Sequence, residues 1–292
     1  MNKQRVLLID LANMFWLSRP KHTHESSLAG DWPIVQQWLY SLNFWIKIHR
    51  PTSIVFLGDG YPKWRYTLYG DYKAGRAELR DKDPLTADFN RQKNDIKKLI
   101  QQIMPVYYLY HESLEADDLF YIISRYLNEQ KIDIEIIGCS TDDDWRQMMV
   151  TYENVKCWQP IKKEFKVRPD YDFVRYKAVL GDHSDNIKGF PKIGKVTALK
   201  IASDENRFNE WYASLEKPLQ EQYQMNLKLV DSTNIAEDQY EFMGNYLREF
   251  EIPKFSSGFL KTYCQSKHIY RFLKNFEEKV DNFRSLKPIT FK

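Results

Sequence analysis

Aspartate and glutamate recur in this chain at the ends of apolar runs and in short clusters, the arrangement from which oxygen-only sites for hard cations are built. Five segments carry them: Asp10; Asp59 in Leu57-Gly58-Asp59; Glu115-Ala116-Asp117-Asp118; Asp142-Asp143-Asp144; and Asp182 with Asp185 in Gly181-Asp182-His183-Ser184-Asp185-Asn186. Carboxylates gathered without cations raise one another's pKa values and destabilise a fold. A divalent metal resolves that repulsion, and an oxygen donor set selects Mg²⁺, with Mn²⁺ able to substitute, over zinc. Two such ions about 3.5–4 Å apart stabilise both the attacking and the leaving oxygen of an in-line phosphodiester displacement. Any one of these Asp residues taken alone is more simply a helix cap or a solvated surface group. As a set they point to metal-assisted phosphodiester hydrolysis. His183 is a lone loop histidine, more simply a surface residue than a base, and is left unassigned.

Three of the carboxylates stand where a strand would end. Val6 to Ile9, Ile54 to Leu57 and Ile134 to Ile137 are short apolar runs closed by Asp10, by Gly58-Asp59 and by Thr141-Asp142. They read as buried parallel strands. Helical stretches from about Pro33 to Ile48 and Leu114 to Asn128 alternate with them, which predicts an α/β layer fold over 1–180 with ligands at the carboxyl ends of the strands. Ser113 is placed to cap the second helix; neighbouring helical residues diverge by about 100°, so Asp117 and Asp118 can address different ions. Tyr107, Tyr108 and Tyr110 alternate as in a strand and read as packing residues. Beyond Asp170 the β-type runs thin out. Asp172 to Leu180, Lys195 to Ala202 and Tyr240 to Phe250 read as helices, predicting a smaller helical domain over 181–292.

Two basic segments accompany the acids. Residues 61–98 form a long insertion carrying Lys63, Arg65, Tyr72, Lys73, Arg76 and Arg80 among Tyr and Trp neighbours, a mix able to neutralise phosphates and stack on bases. Long insertions in compact domains are often functional. In Gly189-Phe190-Pro191-Lys192-Ile193-Gly194-Lys195, two glycines bracket a tight turn before a helix, so backbone N–H groups can approach a phosphate without Cβ obstruction. Lys188, Lys192, Lys195 and Lys200 add positive charge there.

Taken in order, the strand ending in Asp10, Leu57-Gly58-Asp59, Glu115-Ala-Asp-Asp118, Ser140-Thr-Asp-Asp-Asp-Trp145 and Gly181-Asp-His-Ser-Asp-Asn186 followed by Gly189 to Lys195 make the chain resemble the flap endonuclease and 5′-to-3′ exonuclease family. Most similar is its T-even bacteriophage ribonuclease H branch, to which Val155 to Lys163 and the late helical part also bear likeness. The resemblance implies a PIN-like α/β nuclease domain with a central, mainly parallel sheet and a helical arch over about 61–98. A helical C-terminal domain follows, with a helix-hairpin-helix element over about 186–202. It implies a first Mg²⁺ among Asp10, Asp59, Glu115 and Asp117, and a second among Asp118, Asp142, Asp144, Asp182 and Asp185, some through water. Lys73 and Arg76 would lie at the scissile phosphate. Arg65 and Tyr72 would touch nucleic acid, Tyr72 by stacking on a terminal base, while Lys188, Gly189, Lys192, Gly194 and Lys195 grip duplex DNA beside a bound K⁺. Asp143 departs from the pattern, since the family usually has Gly between the two Asp ligands. The implied activity is a 5′-to-3′ exonuclease and flap endonuclease with ribonuclease H activity, removing RNA primers and adjoining DNA during phage DNA replication. Its substrates would be DNA and RNA–DNA hybrids with 5′ ends or flaps, and its companions a replication clamp and a single-strand-binding protein.

Composition sets the remaining bounds. With 292 residues, 43% hydrophobic and 15% aromatic, the chain can bury a sizeable core and is not a disordered polymer. A net charge of +3 does not by itself announce a nucleic-acid partner, so local charge has to decide. Cys139, Cys157 and Cys264 are odd in number and widely spaced, which argues against a disulfide framework or a zinc site. No apolar run approaches the roughly 18 residues of a membrane span, and the N-terminus lacks a signal core; a monomer in the cytoplasm is expected. Two readings compete. An RNA-processing or toxin-like PIN nuclease would share the carboxylates, and a catalytically silent DNA-end binding protein would lack a metal ligand, yet no family position is vacant. The tail Leu286 to Lys292 places exposed-looking apolar residues at a chain end, where simple fraying is expected ahead of a contact with a sliding clamp.

Overall fold

The protein is represented by a computed structural model that describes residues 3–19, 32–74 and 86–291. Its centre is a six-stranded sheet in the order β3-β2-β1-β4-β5-β6, formed by β1 Gln4–Asp10, β2 Ser53–Gly58, β3 Tyr107–Tyr110, β4 Ile134–Cys139, β5 Val155–Gln159 and β6 Glu164–Phe165. The first five are parallel and β6 is antiparallel to β5. The chain steps outward from β1 to β2 and β3, then returns to the other side of β1 with β4. That reversal opens a crevice at the carboxyl ends of β1 and β4, where ligands of open α/β sheets bind. Asp10 stands level with Leu57 and Ile9 with Cys139, so Asp10, Asp59 and the 140–144 loop all leave the sheet at one edge.

Side chains alternate across the strands, which explains their continuous apolar character: both faces are covered. Leu7, Ile9, Ile54 and Phe56 meet Val35, Trp38 and Leu42 of the Pro33–His49 helix, with Ile96 and Ile100 of Thr86–Gln102. Val6, Leu8, Val55 and Leu57 meet Leu119, Phe120 and Ile123 of Ala116–Glu129 on the opposite face. The same two cores take in Leu260, Phe272 and Val280 on one side, and Tyr240, Met243 and Leu247 on the other. Both cores thus take side chains from before and after residue 180. Helices between 237 and 284 return to the sheet, while 173–230 contain a smaller core of Ala178, Val179, Phe190, Ala198, Ile201 and Tyr223. Helical periodicity shows that a face is buried and not which surface buries it.

The tail likewise differs from expectation. Leu286 and Ile289 are buried, and Lys287 N donates to Thr52 O at 2.8 Å, Ile289 N to Tyr107 Oη at 2.9 Å and Thr290 N to Gln4 Oε1 at 2.8 Å. The apolar residues Leu286 and Ile289 belong to the core.

Two local devices position the site. Glu115, and not Ser113, caps the Ala116–Glu129 helix, with the Asp118 carboxylate accepting from Glu115 N at 2.9 Å; Ser113 Oγ instead accepts from Gln239. On β4, Gly138 leaves room for Phe120 and Trp145, whose rings stack 4.1 Å apart; a Cβ there would come within 2.7 Å of both rings. Among the described residues no helix is long and apolar enough to cross a membrane.

Candidate active site

Asp10 ends β1 and caps the Leu11–Leu17 helix, accepting from Asn13 N at 2.9 Å. It also accepts from Ser140 Oγ at 3.0 Å, and Ser140 Oγ in turn accepts from Asp142 N at 3.1 Å. The ends of β1 and β4 are thus tied through one hydroxyl. Burial, reinforced by Asp59, pushes the Asp10 carboxyl up to about 7. Asp59 accepts from Ala116 N at 2.9 Å and is likewise raised by burial. Asp117 accepts from the Trp145 indole N–H at 2.5 Å; burial, with Asp142, Asp144 and Asp10 adding repulsion, holds it well above the usual carboxylate range. Burial also pushes Asp144 up to about 7 despite Lys177.

Two lysines serve the ends of this crevice. Lys73 Nζ lies 2.5 Å from Glu115 Oε1 and 3.7 Å from Asp185 Oδ2, and its backbone takes the left-handed conformation with φ 54°. Its N–H donates to Asp185 O at 2.9 Å, and Asn186 Nδ2 donates to Asp71 O at 2.9 Å, so the turn before 75 is docked on the 182–186 loop. Such strain in a non-glycine residue persists where surrounding contacts impose it. Lys177, on the Phe173–Leu180 helix, lies 2.7 Å from Asp144 Oδ1 and also binds Asp182 Oδ2. Burial alone would raise Asp182, but Lys177 and Ser184 hold it at about 2. Sequence reasoning missed Lys177. The available signal was a lysine on the helix that leads directly into Gly181-Asp182.

Several expected roles change. Arg65, expected on nucleic acid, is 4% exposed and grips Asp118 with both terminal nitrogens at 2.8 and 2.6 Å, with a further contact to Glu115 at 3.0 Å. Asp118 is fully buried, with its oxygens engaged by Arg65 and by Glu115 N. Tyr72, expected to stack on a base, is 3% exposed and donates its hydroxyl toward Glu115 at 2.9 Å and Asp185 at 3.0 Å. The residue types were suited to phosphate and base contacts, but the Lys63–Leu68 helix and the turn after it direct them inward. Asp143 points outward to Lys166 Nζ at 3.1 Å, while the same ammonium binds the carbonyls of Thr141 and Asp142. Asp142 and Asp144 remain on the crevice side, joined by Asp144 N donating to Asp142 Oδ1 at 2.9 Å. Arg76 and Arg80 lie outside the described residues.

Beside the crevice, the Phe173–Leu180 and Lys195–Ala202 helices pack across a turn, with Asp172 N donating to Ala202 O at 3.1 Å. Gly181 has φ +77°, and a Cβ on it would lie 2.3 Å from Gly189 N; one on Gly189 would lie 2.0 Å from Leu180 O. Having no Cβ at Gly189 is what allows the close packing of this turn. Gly194 begins the second helix and has open space on its Cβ side. Lys188, Lys192 and Lys195 are exposed around it.

Among the described residues, no three carboxylate, histidine or cysteine side chains form a ready-made metal cage. The donor chemistry nonetheless fits a hard divalent ion. The groups are carboxylates, several are buried and mutually repelling, and Mg²⁺ characteristically retains water and uses few direct carboxylates.

Fold and site together define an α/β protein with a carboxylate-lined crevice at the switch point of its sheet. Residues 6–178 match the family model described as the 5′-3′ exonuclease, N-terminal resolvase-like domain, and the chain belongs to the flap endonuclease and 5′-to-3′ exonuclease family. It is 26% identical to a 5′-3′ exonuclease of Buchnera aphidicola, covering 80% of this chain and 82% of that protein. To the flap endonuclease Xni of Shewanella piezotolerans it is 26% identical, over 73% and 84% of the two chains. DNA polymerase I of Streptococcus pneumoniae is 25% identical over 74% of this chain, which spans only about a quarter of the polymerase, 26%. In fold it is similar to T5 5′-exonuclease with bound zinc, at TM-score 0.67 and 19% identity, covering 83% of this chain and 97% of that one.

Proposed function

We propose that this chain is a Mg²⁺-dependent phosphodiesterase acting as a 5′-to-3′ exonuclease and flap endonuclease, with ribonuclease H activity on RNA primers during phage DNA replication. One observation carries the reading: buried, mutually repelling carboxylates converge at the sheet's switch point, with Lys73 at one end. Asp10, Asp59, Glu115 and Asp117 would serve one ion, and Asp118, Asp142, Asp144, Asp182 and Asp185 another, some of them through water. When bound, such ions supply an activated water and neutralise charge on the phosphate. The chain's own residues do the positioning. Ser140 and Asn13 orient Asp10, Trp145 orients Asp117, and Lys73 offers positive charge where a phosphate would enter. Exposed Lys188, Lys192 and Lys195 with the open Gly194 are suited to a duplex backbone, where K⁺ would sit at the turn.

Product mapping tests this on a 5′-labelled DNA flap, an RNA primer on DNA and a folded RNA, each with and without Mg²⁺. Cleavage at the flap junction and stepwise loss of primer from the 5′ end are expected only with metal. Preferential cutting of folded RNA would favour an RNA-processing nuclease, and binding without cleavage would indicate a silent end-binding protein.

A further inference from the structure

With Tyr72 buried, a different aromatic surface opens beside the crevice. Tyr61 follows Asp59 by two residues and is 53% exposed. Its ring lies flat against Tyr66, with centroids 4.5 Å and planes 8° apart, and Tyr66 meets Tyr72 edge-on at 5.4 Å. The Tyr72 hydroxyl reaches Glu115 and Asp185. A row of three rings therefore runs from solvent to the carboxylates. Its outer end is held in place, because Tyr61 N donates to Glu112 O and Gly60 N to Leu114 O, both at 2.7 Å. A rigid ring backed on one face loses little freedom when a flat partner covers it.

We propose that Tyr61, backed by Tyr66, is a stacking platform for an unpaired nucleobase of the bound strand near the scissile phosphate. The proposal rests on the nuclease reading and adds a binding residue to it. Stacking on an aromatic ring tolerates any base, since each offers a π-face. The tyrosine hydroxyl has no part in it, so phenylalanine should serve equally well.

The test is a cycle between protein and strand. Wild type, Tyr61→Ala and Tyr61→Phe are each titrated with 5′-flap DNA in which successive nucleotides around the junction are abasic, using Ca²⁺ in place of Mg²⁺ so that binding is read. Tyr61→Ala is expected to weaken binding to the intact flap roughly ten-fold, with Tyr61→Phe near wild type. At one position the abasic site should weaken wild type by a similar factor and leave Tyr61→Ala unchanged. Equal affinities of wild type and Tyr61→Ala, or losses that simply add at every position, overturn the platform while the nuclease reading stands. Failure of the wild type to bind or cut any flap removes both.

Discussion

The two ends of the crevice are neutralised by different means, and the carboxylates between them are held above their ordinary range. At the Glu115 end, Arg65 comes from the Lys63–Leu68 helix and Lys73 from the turn that follows it, where the 182–186 loop holds Lys73 in a strained left-handed conformation. At the opposite end Lys177 projects from an ordinary helix and bridges Asp144 and Asp182. Between them, Asp10, Asp59 and Asp117 are raised first by burial and then by neighbouring carboxylates, with Lys73 and Lys93 offsetting only part of the rise at Asp59. A buried carboxylate without a cation destabilises the fold until something positive arrives. The middle is therefore where a divalent ion has most to offer, while the end carboxylates would share an ion with the chain's own cations.

Removing a central acid should break that contrast most sharply. Asp117→Asn is expected to lower kcat by at least about a thousand-fold with Mg²⁺, through loss of a metal-facing carboxylate, yet to raise the melting temperature of the EDTA-treated protein, since a repelled buried charge is gone. Single-turnover cleavage and calorimetry read the two effects; unchanged turnover, or a lower melting temperature without metal, would sink the distinction between middle and ends.

Next in size are the two lysines. Lys73→Ala should slow cleavage about a hundred-fold or more by removing charge aimed at the phosphate. Lys177→Ala should act through its carboxylates. Losing the cation raises Asp182 and Asp144, so the acidic limb of the pH–rate profile moves upward by about one unit, with a smaller loss of the maximal rate. Matching pH profiles for the two variants would erase the proposed difference between the ends.

A pH effect on stability follows with a defined sign. Asp10 and Asp144 are pushed up to about 7 in the folded protein, against an ordinary unfolded value of about 3.9. The folded form thus binds protons more tightly, and these groups contribute stability at low pH that is lost as pH rises from about 4 through 7. His49 opposes them in acid, because burial and Arg5 lower it to about 4, and its contribution is lost as pH falls below its unfolded value. Metal separates the two trends, since it acts on the carboxylates alone. The gain in melting temperature on adding about 10 mM Mg²⁺ should be larger near pH 8 than near pH 5.5, where protons compete with the ion. An equal gain at both values would count against carboxylate binding.

The smallest expected effect concerns Lys166. It clasps the carbonyls of Thr141 and Asp142, so Lys166→Ala should weaken Mg²⁺ binding by a few-fold through a looser 141–144 loop while kcat at saturating metal changes little, consistent with the modest worth of a charged hydrogen bond. Asp143→Gly, which removes only the exposed partner, should be close to neutral.

The amino-acid order by itself marked the three strand-end acids, because short apolar runs closed by Asp10, by Gly58-Asp59 and by Thr141-Asp142 and alternating with helical stretches fit strands covered on both faces, and such sheets gather ligands at that edge. It also marked the helices that follow and the family to which the chain belongs. Tertiary structure decided which polar side chains face the crevice. Arg65, Tyr72 and Asp118 have the composition of contact residues but turn inward to one another, Lys177 enters from a helix far along the chain, and the tail closes over the sheet. Residue type states what a side chain can do; only the packing of distant segments decides which partner it meets and whether water or another side chain covers it.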